Sequence, residues 1–335
     1  NTLNKRRGAS EMPLFDQDAS TFPLTTEQAE SYHHNGYLAV EQLVPAVEVN
    51  WMIPLSDPLF AEHPHPDIPG RVNGPAHLDV RLVESLAIHR MISVAQQLLN
   101  SEVIYLGDWL LDKRPGDPET VWHQDEWRRG QEWPLRYVET WLAIDDAEED
   151  NGCIQVIPYS HTHGVIPRPS EEFDALVASG AKICNIPAGG CLFWSARTLH
   201  YAGLNRSKKP RRAYSFSFGA LEQRLLPDFL ARWLFSLGQE VPLAPLQQLA
   251  LPVESEPELT LKHILDDTAL FRRFLSEPAG QIRLRRAIAE QVQKPNFMVQ
   301  LGRREQPMPT QSQIVQRQQA QQQRQRMMKE RKNRL

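Results

Sequence analysis

The run 103-VIYLGDWLLD-112 decides the fold class. It is dense in aliphatic, β-branched and aromatic residues, and 113-KRPGDP-118 breaks it off with turn-forming residues. The same texture returns in 138-VETWLAID-145, 152-GCIQVIP-158, 182-KICNIP-187, 190-GCLFWS-195 and 212-RAYSFSF-218, with Gly, Pro and Asp clusters between them. Short strands in succession, without regular alternation with helices, predict a β-sandwich or barrel rather than a doubly wound parallel sheet. The expectation is a mainly β protein with flanking α: a jelly-roll core behind N-terminal helices.

The flanks read as helical. In 25-TTEQAESYHHNGYLAV-40, Thr25 or Thr26 can cap a helix that carries Glu27 early and stops at Gly36, before a strand-like run 37–40. Residues 41–53 predict a turn and a second helix, and the proline-rich stretch 57–73 a long loop. Apolar residues at helical spacing, Leu82, Leu86, Met91, Val94, Ala95 and Leu98, predict an amphipathic helix. Beyond Phe218, helical patterns return in 225-LLPDFLARWLFSLG-238, 258-ELTLKHILDDTALFRRFL-275 and 280-GQIRLRRAIAEQVQ-293. The organisation expected is an N-terminal extension 1–23, a β domain with N-terminal helices over 24–222, and a C-terminal helical extension 223–300. Residues 301–335 form a Gln-rich tail, read as disordered or as a solvent-exposed helix.

Composition bounds the function. A chain of 335 residues with 41% hydrophobic content can bury one large core. No apolar run approaches the roughly 20 residues of a membrane helix, and no apolar stretch follows the basic N-terminal residues as in a secretory signal. Cys153, Cys184 and Cys191 are odd in number and lack CxxC spacing, which fits a reducing, cytoplasmic setting. The net charge of −4 hides a division, since Arg303, Arg304, Arg317, Arg324, Arg326, Lys329, Arg331, Lys332 and Arg334 face only Glu305 and Glu330 in the tail. The tail lacks the interleaved aromatics that stack on bases, so it reads as a solvated face rather than a nucleic-acid interface. The partner expected is a small-molecule substrate, with no membrane; oligomeric state is left open.

The chemistry is concentrated in 121-VWHQDEW-127. A non-haem Fe(II) oxygenase needs two imidazoles and one carboxylate on one face of an octahedron. Residues two apart on an extended chain point the same way, so His123 and Asp125 can converge while Gln124 faces away. The spacing alone is weak, and the pairs His63/His65 and His161/His163 fit a spacing search as well. A third ligand should come from a strand distant in sequence, and 187-PAGGCLFWSARTLH-200 reads as a strand ending in His200. In 211-RRAYSFSF-218 the odd positions Arg211, Ala213, Ser215 and Ser217 are a cation and small residues, and the even ones are large. Only the first set leaves room for a bound dicarboxylate, which prefers Arg211 to Arg212 as a bidentate clamp.

At this point the chain resembles the phytanoyl-CoA dioxygenase family of Fe(II)/2-oxoglutarate oxygenases, over about 24–218. The resemblance is carried by 35-NGYLAV-40, by 112-DKRPG-116 ahead of WHQD, by 141-WLAIDDAEEDNGCIQVIPYSH-161 and by 200-HYAGLNRSKKPRRA-213. It implies a double-stranded β-helix (cupin-like) that uses Fe(II), 2-oxoglutarate as co-substrate and O2. It makes His123, Asp125 and His200 the iron ligands and Arg211 the partner of the 2-oxoglutarate 5-carboxylate, with Trp141 and Trp109 lining that pocket. Retention of Asp125, where a halogenase has Gly or Ala, implies an oxygenase rather than a halogenase. The substrate expected is a small or medium-sized metabolite, hydroxylated or otherwise oxidised at an unactivated C–H bond, with specialised metabolism favoured by the C-terminal helical extension. Two positions depart from the family pattern: Tyr159 stands where Gly is common before Ser-His, and Ala202 where Ser is frequent. The first bears on the substrate loop, the second removes a hydrogen bond to the co-substrate.

The segment 126-EWRRGQEW-133 follows the ligands and is placed at the mouth of the site. Arg128 or Arg129 is expected to meet an anionic substrate group, and Trp127 or Trp133 to supply an apolar wall; solvated loop charges fit the same residues. Two rival readings remain at this stage. One is a metalloenzyme of other chemistry on the same barrel, against which Arg211 speaks; the other is a non-enzymatic interaction protein acting through its basic tail, against which three intact ligands speak.

Overall fold

The computed structural model describes residues 20–220, apart from 67, 83, 84 and 127–135. The expected helical extension 223–300, the tail 301–335 and residues 1–19 of the N-terminal extension lie outside the described residues, as do Trp127, Arg128, Arg129 and Trp133.

The order of elements is α1 (Thr26–Asn35), β1 (Tyr37–Val40), α2 (Ala46–Glu62), β2 (Arg71–Asn73), α3 (Pro75–Leu78), α4 (Leu86–Leu99), β3 (Val103–Lys113), β4 (Thr120–His123), β5 (Tyr137–Ala143) and β6 (Ile154–Val156). They continue with α5 (Glu171–Ala178), β7 (Lys182–Cys184), β8 (Cys191–Ser195), β9 (His200–Ala202) and β10 (Arg211–Ala220). Every apolar run read as a strand from the sequence is one. The strands form two antiparallel sheets, a larger one in the order β1-β8-β5-β10-β3-β2 and a smaller one in the order β4-β9-β6-β7.

The helices begin and end where the chemistry of their termini requires. Thr25 accepts from the Gln28 amide while the Gln28 side chain reaches back to the Thr25 amide, a reciprocal cap for α1. Gly36 closes that helix in the left-handed region at φ 83°, where a Cβ would also lie 2.3 Å from His161 Nδ1. The proline-rich loop is shorter than the sequence suggested, because α2 runs through Pro54 and Pro58 as far as Glu62. Each of these prolines lacks an N–H for the helix ladder. Burial of Val49, Trp51, Met52, Leu55 and Leu59 on the opposite face outweighs the loss, at roughly 1.5–3 kcal/mol for each large side chain.

β10 organises the core. It pairs with β3 on one side and β5 on the other, and its alternate side chains part to opposite faces. Tyr214, Phe216 and Phe218 join the apolar cluster formed with Leu86, Ile88, Met91, Val94 and Ala95 of α4. Arg211, Ala213, Ser215 and Ser217 face the other way. On that inner face, register places Trp109 of β3 and Trp141 of β5 on either side of Ser215. Trp141 packs there with Trp194, Leu192, Ala213 and Cys153.

Candidate metal centre

β4 ends at His123 and β9 opens at His200, and the two histidines stand directly opposite each other in the smaller sheet. The sequence reading placed His200 at the end of the strand that starts with 190-GCLFWS-195. Instead, β8 stops at Ser195, and a turn closed by Thr198 N–H to Ser195 O at 2.7 Å carries the chain from the larger sheet to the smaller one. Thr198 anchors that crossing by donating its hydroxyl to Gly36 O at 2.7 Å. The change of sheet is what brings His200 beside His123, with ring centroids 4.1 Å apart.

Both imidazoles are held in one tautomer. His123 Nδ1 lies 2.8 Å from Val121 O, and His200 Nδ1 lies 3.0 Å from Thr198 O. A carbonyl oxygen only accepts, so each Nδ1 carries the proton and each Nε2 presents a lone pair. Those lone pairs converge on Asp125, with His123 Nε2 at 3.7 Å from Oδ1 and His200 Nε2 at 3.5 Å from Oδ2. The separations exceed hydrogen-bond length, yet they fall inside the roughly 4 Å that two ligands can span when each stands about 2 Å from one ion. The three ligand atoms all lie within 4.8 Å of one another. Among the described residues, neither of the other His-x-His pairs gathers a third ligand in this way. His161 Nε2 is 3.1 Å from His33 O and His163 Nδ1 is 2.9 Å from Glu172 Oε1, so both are taken up by loop packing.

The surroundings fix the carboxylate as firmly as the rings. Trp194 Nε1 donates to Asp125 Oδ2 at 3.0 Å, and its ring lies 5.0 Å from that of His200. Gln124, fully buried between the two ligands of the loop, donates to Gly164 O and Arg197 O and accepts from the Ile166 amide. Next to it Glu126 receives Arg197 Nε at 2.6 Å. Trp194 and Gln124 were not picked out as site residues from the sequence. Their roles depend on pairing between segments far apart, which no local pattern records.

Arg211 is 4% exposed, and its Nε has no hydrogen-bond partner. Its guanidinium lies over the ring of Trp141 with Cζ 4.8 Å from the centroid. Burial pushes its pKa down to about 10, with Cys153, Asp112 and Asp145 as opposing influences. It remains a cation at neutral pH, and an enclosed cation with an unsatisfied donor fits an anionic ligand. Arg212 has the contrasting environment, a two-pronged pair with Asp145 at 2.9 Å and a contact with Asp57 at 3.1 Å. The donor set of two imidazoles and a carboxylate, and the orphaned guanidinium nitrogen on the inner face of the larger sheet, fit Fe(II) and a dicarboxylate.

The two departures from the family pattern also find their places. Tyr159 adopts the left-handed region at φ 66°, a conformation that glycine takes without strain, and its ring packs edge-on against His34 at 4.9 Å. Its amide donates to Asn35 O at 3.0 Å, which ties the loop to the end of α1. Ala202, at the end of β9, offers no hydroxyl.

Comparison with known proteins agrees with this geometry. The sequence profile of the family Phytanoyl-CoA dioxygenase (PhyH) matches residues 32–213. Ectoine dioxygenase of Streptomyces avermitilis is 24% identical over 273 residues, covering 68% of this chain and 92% of that protein. Phytanoyl-CoA dioxygenase domain-containing protein 1 of Danio rerio is 27% identical over 127 residues, 34% of this chain and 44% of that protein. The crystal structure of EvdO2 from Micromonospora carbonacea var. aurantiaca complexed with 2-oxoglutarate superposes with a TM-score of 0.53 at 26% identity, over 60% of this chain and 92% of that one. The chain belongs to the phytanoyl-CoA dioxygenase family and is an Fe(II)- and 2-oxoglutarate-dependent dioxygenase.

Proposed function

We propose that His123, Asp125 and His200 hold the Fe(II), that Arg211 clamps the 5-carboxylate of 2-oxoglutarate with Trp141 and Trp109 walling the same pocket, and that the enzyme oxidises an unactivated C–H bond of a small or medium-sized metabolite. The observation that carries the reading is the convergence of two Nε2 lone pairs and the Asp125 carboxylate, with the unpaired Arg211 guanidinium on the inner face of the larger sheet. Bound Fe(II) supplies the redox chemistry by which O2 places one oxygen atom in succinate and the other in the hydroxylated product, with release of CO2. The protein's part is geometry. Val121 O and Thr198 O set the imidazole tautomers, Trp194 turns the Asp125 carboxylate, Arg211 aligns the co-substrate, and Trp141 excludes water from its flank.

The relatives support a small-molecule substrate, since ectoine dioxygenases stand among them. At 24% identity, what is shared is the reaction. Arg128, Arg129 and Trp127, beyond the ligand loop, are proposed to select the substrate. We read the two sheets as the halves of a double-stranded β-helix within a domain over 24–222, followed in sequence by the extension 223–300 and the tail 301–335. No helix among the described residues is long and apolar enough to cross a membrane, and Cys153, Cys184 and Cys191 are free and buried, which supports a reducing cytoplasmic setting.

The reading is tested by turnover. Protein supplied with Fe(II), 2-oxoglutarate and O2 is expected to release succinate, faster when a metabolite panel contains a substrate, and His123→Ala is expected to release none. Equal succinate from parent and variant would remove the assignment.

A further inference from the structure

The inner face of the larger sheet is longer than the co-substrate it is proposed to hold. From Arg211 to Ser217, β10 rises about 20 Å at roughly 3.3 Å per residue, and a five-carbon diacid anchored at Arg211 reaches only part of that way. At the far end Glu139 of β5 stands opposite Ser217 on one side and opposite Trp194 of β8 on the other. Glu139 is 4% exposed, and its carboxylate accepts from the Ser217 hydroxyl. Trp194 donates to Asp125, so the same indole neighbours Glu139 and the candidate carboxylate ligand. The chain keeps space beside this acid. Across Ser217, the register position on β3 is Gly107. The pairing shifts just beyond it, yet a bulge calls for glycine only in the left-handed region, where Gly107 does not lie. Among the described residues, a Cβ there would meet the Trp109 ring alone, at 3.4 Å, an ordinary contact. Neither backbone nor crowding demands glycine, and its effect is to leave room in the row that ends at a buried carboxylate.

We propose that Glu139, in the row it forms with Ser217 and Gly107, selects the substrate by binding a protonated amine, so that the metabolite oxidised is a cationic amine. This rests on the reading of the metal centre and of Arg211 given above. Charge assigns the two ends of the inner face to different molecules. 2-Oxoglutarate is a dianion, drawn to Arg211 and repelled by Glu139, so the acid does not serve the co-substrate. Any other molecule in that space meets a carboxylate in its wall, where opposite charge is attracted and like charge rejected far more strongly than in water. An ammonium N–H gives a carboxylate a charge-assisted bond, roughly twice as strong as a neutral one. A hydroxyl would be held as well by an uncharged acceptor, without the cost of burying a charge. A nitrogen held at Glu139 leaves its neighbouring carbons on the Trp194 side, toward Asp125, and so fixes which C–H bond is offered for oxidation.

The test is anaerobic equilibrium dialysis of the full-length protein, loaded with Fe(II) and 2-oxoglutarate, against a mixture of primary-amine metabolites, their N-acetyl counterparts and the corresponding carboxylic acids. Retained compounds are identified by mass. The parent is expected to retain amines and to prefer them over their N-acetyl counterparts by roughly tenfold or more. Glu139→Gln, which keeps the shape and an acceptor for Ser217, is expected to lose that preference while binding 2-oxoglutarate as the parent does. Gly107→Val fills the space and leaves the charge, and is expected to retain fewer of the amines. A parent that retains no amine, or that favours the neutral or anionic members, would overturn the assignment. So would a Glu139→Gln protein that holds the amines within about twofold of the parent. If Glu139→Gln does not fold, Gly107→Val decides, and amine retention equal to the parent's sinks the proposal. Failure of the parent to bind 2-oxoglutarate would instead strike the underlying reading of Arg211 and take this inference with it.

Discussion

Trp194 shows how much of the centre is settled by single side chains that are not ligands. Its indole N–H donates to Asp125 Oδ2, the oxygen that also faces His200, and so decides which way the carboxylate turns. Outer partners of this kind are worth roughly 10–100-fold in metal affinity, and Trp194→Phe, which keeps the ring and removes the donor, is expected to weaken Fe(II) binding within that range. Competition against a chelator measures it; affinity equal to the parent's would make the indole mere packing. The candidate ligands were legible in the sequence because their types and spacing are set by chemistry, and Arg211 as a candidate because its neighbours at alternate positions are small. Trp194 was not legible. A tryptophan in a strand looks like core until the fold sets it beside Asp125.

At the scale of elements, the strands were legible and the connections were not. A strand announces itself by β-rich composition and the turns around it, so β3, β5, β6, β7, β8 and β10 all fall on runs visible in the sequence. The break between β8 and β9 does not, because residues 196–199 carry no Gly or Pro and the chain changes sheets through a hydrogen-bonded turn. The length of α2 was missed for the opposite reason: its prolines signal a loop, and tertiary burial overrides them. The start of α4 follows the same logic. Ser85 makes no side-chain cap, and Glu48 of α2, 2% exposed, accepts from the Ala87 amide at 3.2 Å instead. Glu48→Ala is expected to destabilise the fold by about 1–3 kcal/mol, read as a lower urea midpoint, since it strands a buried N–H at a helix start. An unchanged midpoint would show that the helix terminus finds another partner.

Across the described residues, the two sheets meet at the candidate metal centre. The larger sheet turns aromatic residues outward to α4 and a row of cation, alanine and serines inward, and the smaller sheet contributes both histidines. Asp125 links them, since it follows the smaller sheet's β4 and is held by Trp194 of the larger sheet's β8. The matched family span, 32–213, begins within α1 and ends within β10, so it covers the parts that build the centre. The basic tail lies outside that span.

The most direct measurement is an anaerobic titration of metal-free protein with Fe(II) and then 2-oxoglutarate, followed by the weak visible charge-transfer band of a keto acid chelated to the metal. A band is expected in the parent protein and none in His123→Ala. A folded parent protein that binds Fe(II) yet shows neither a band nor measurable affinity for 2-oxoglutarate would contradict it.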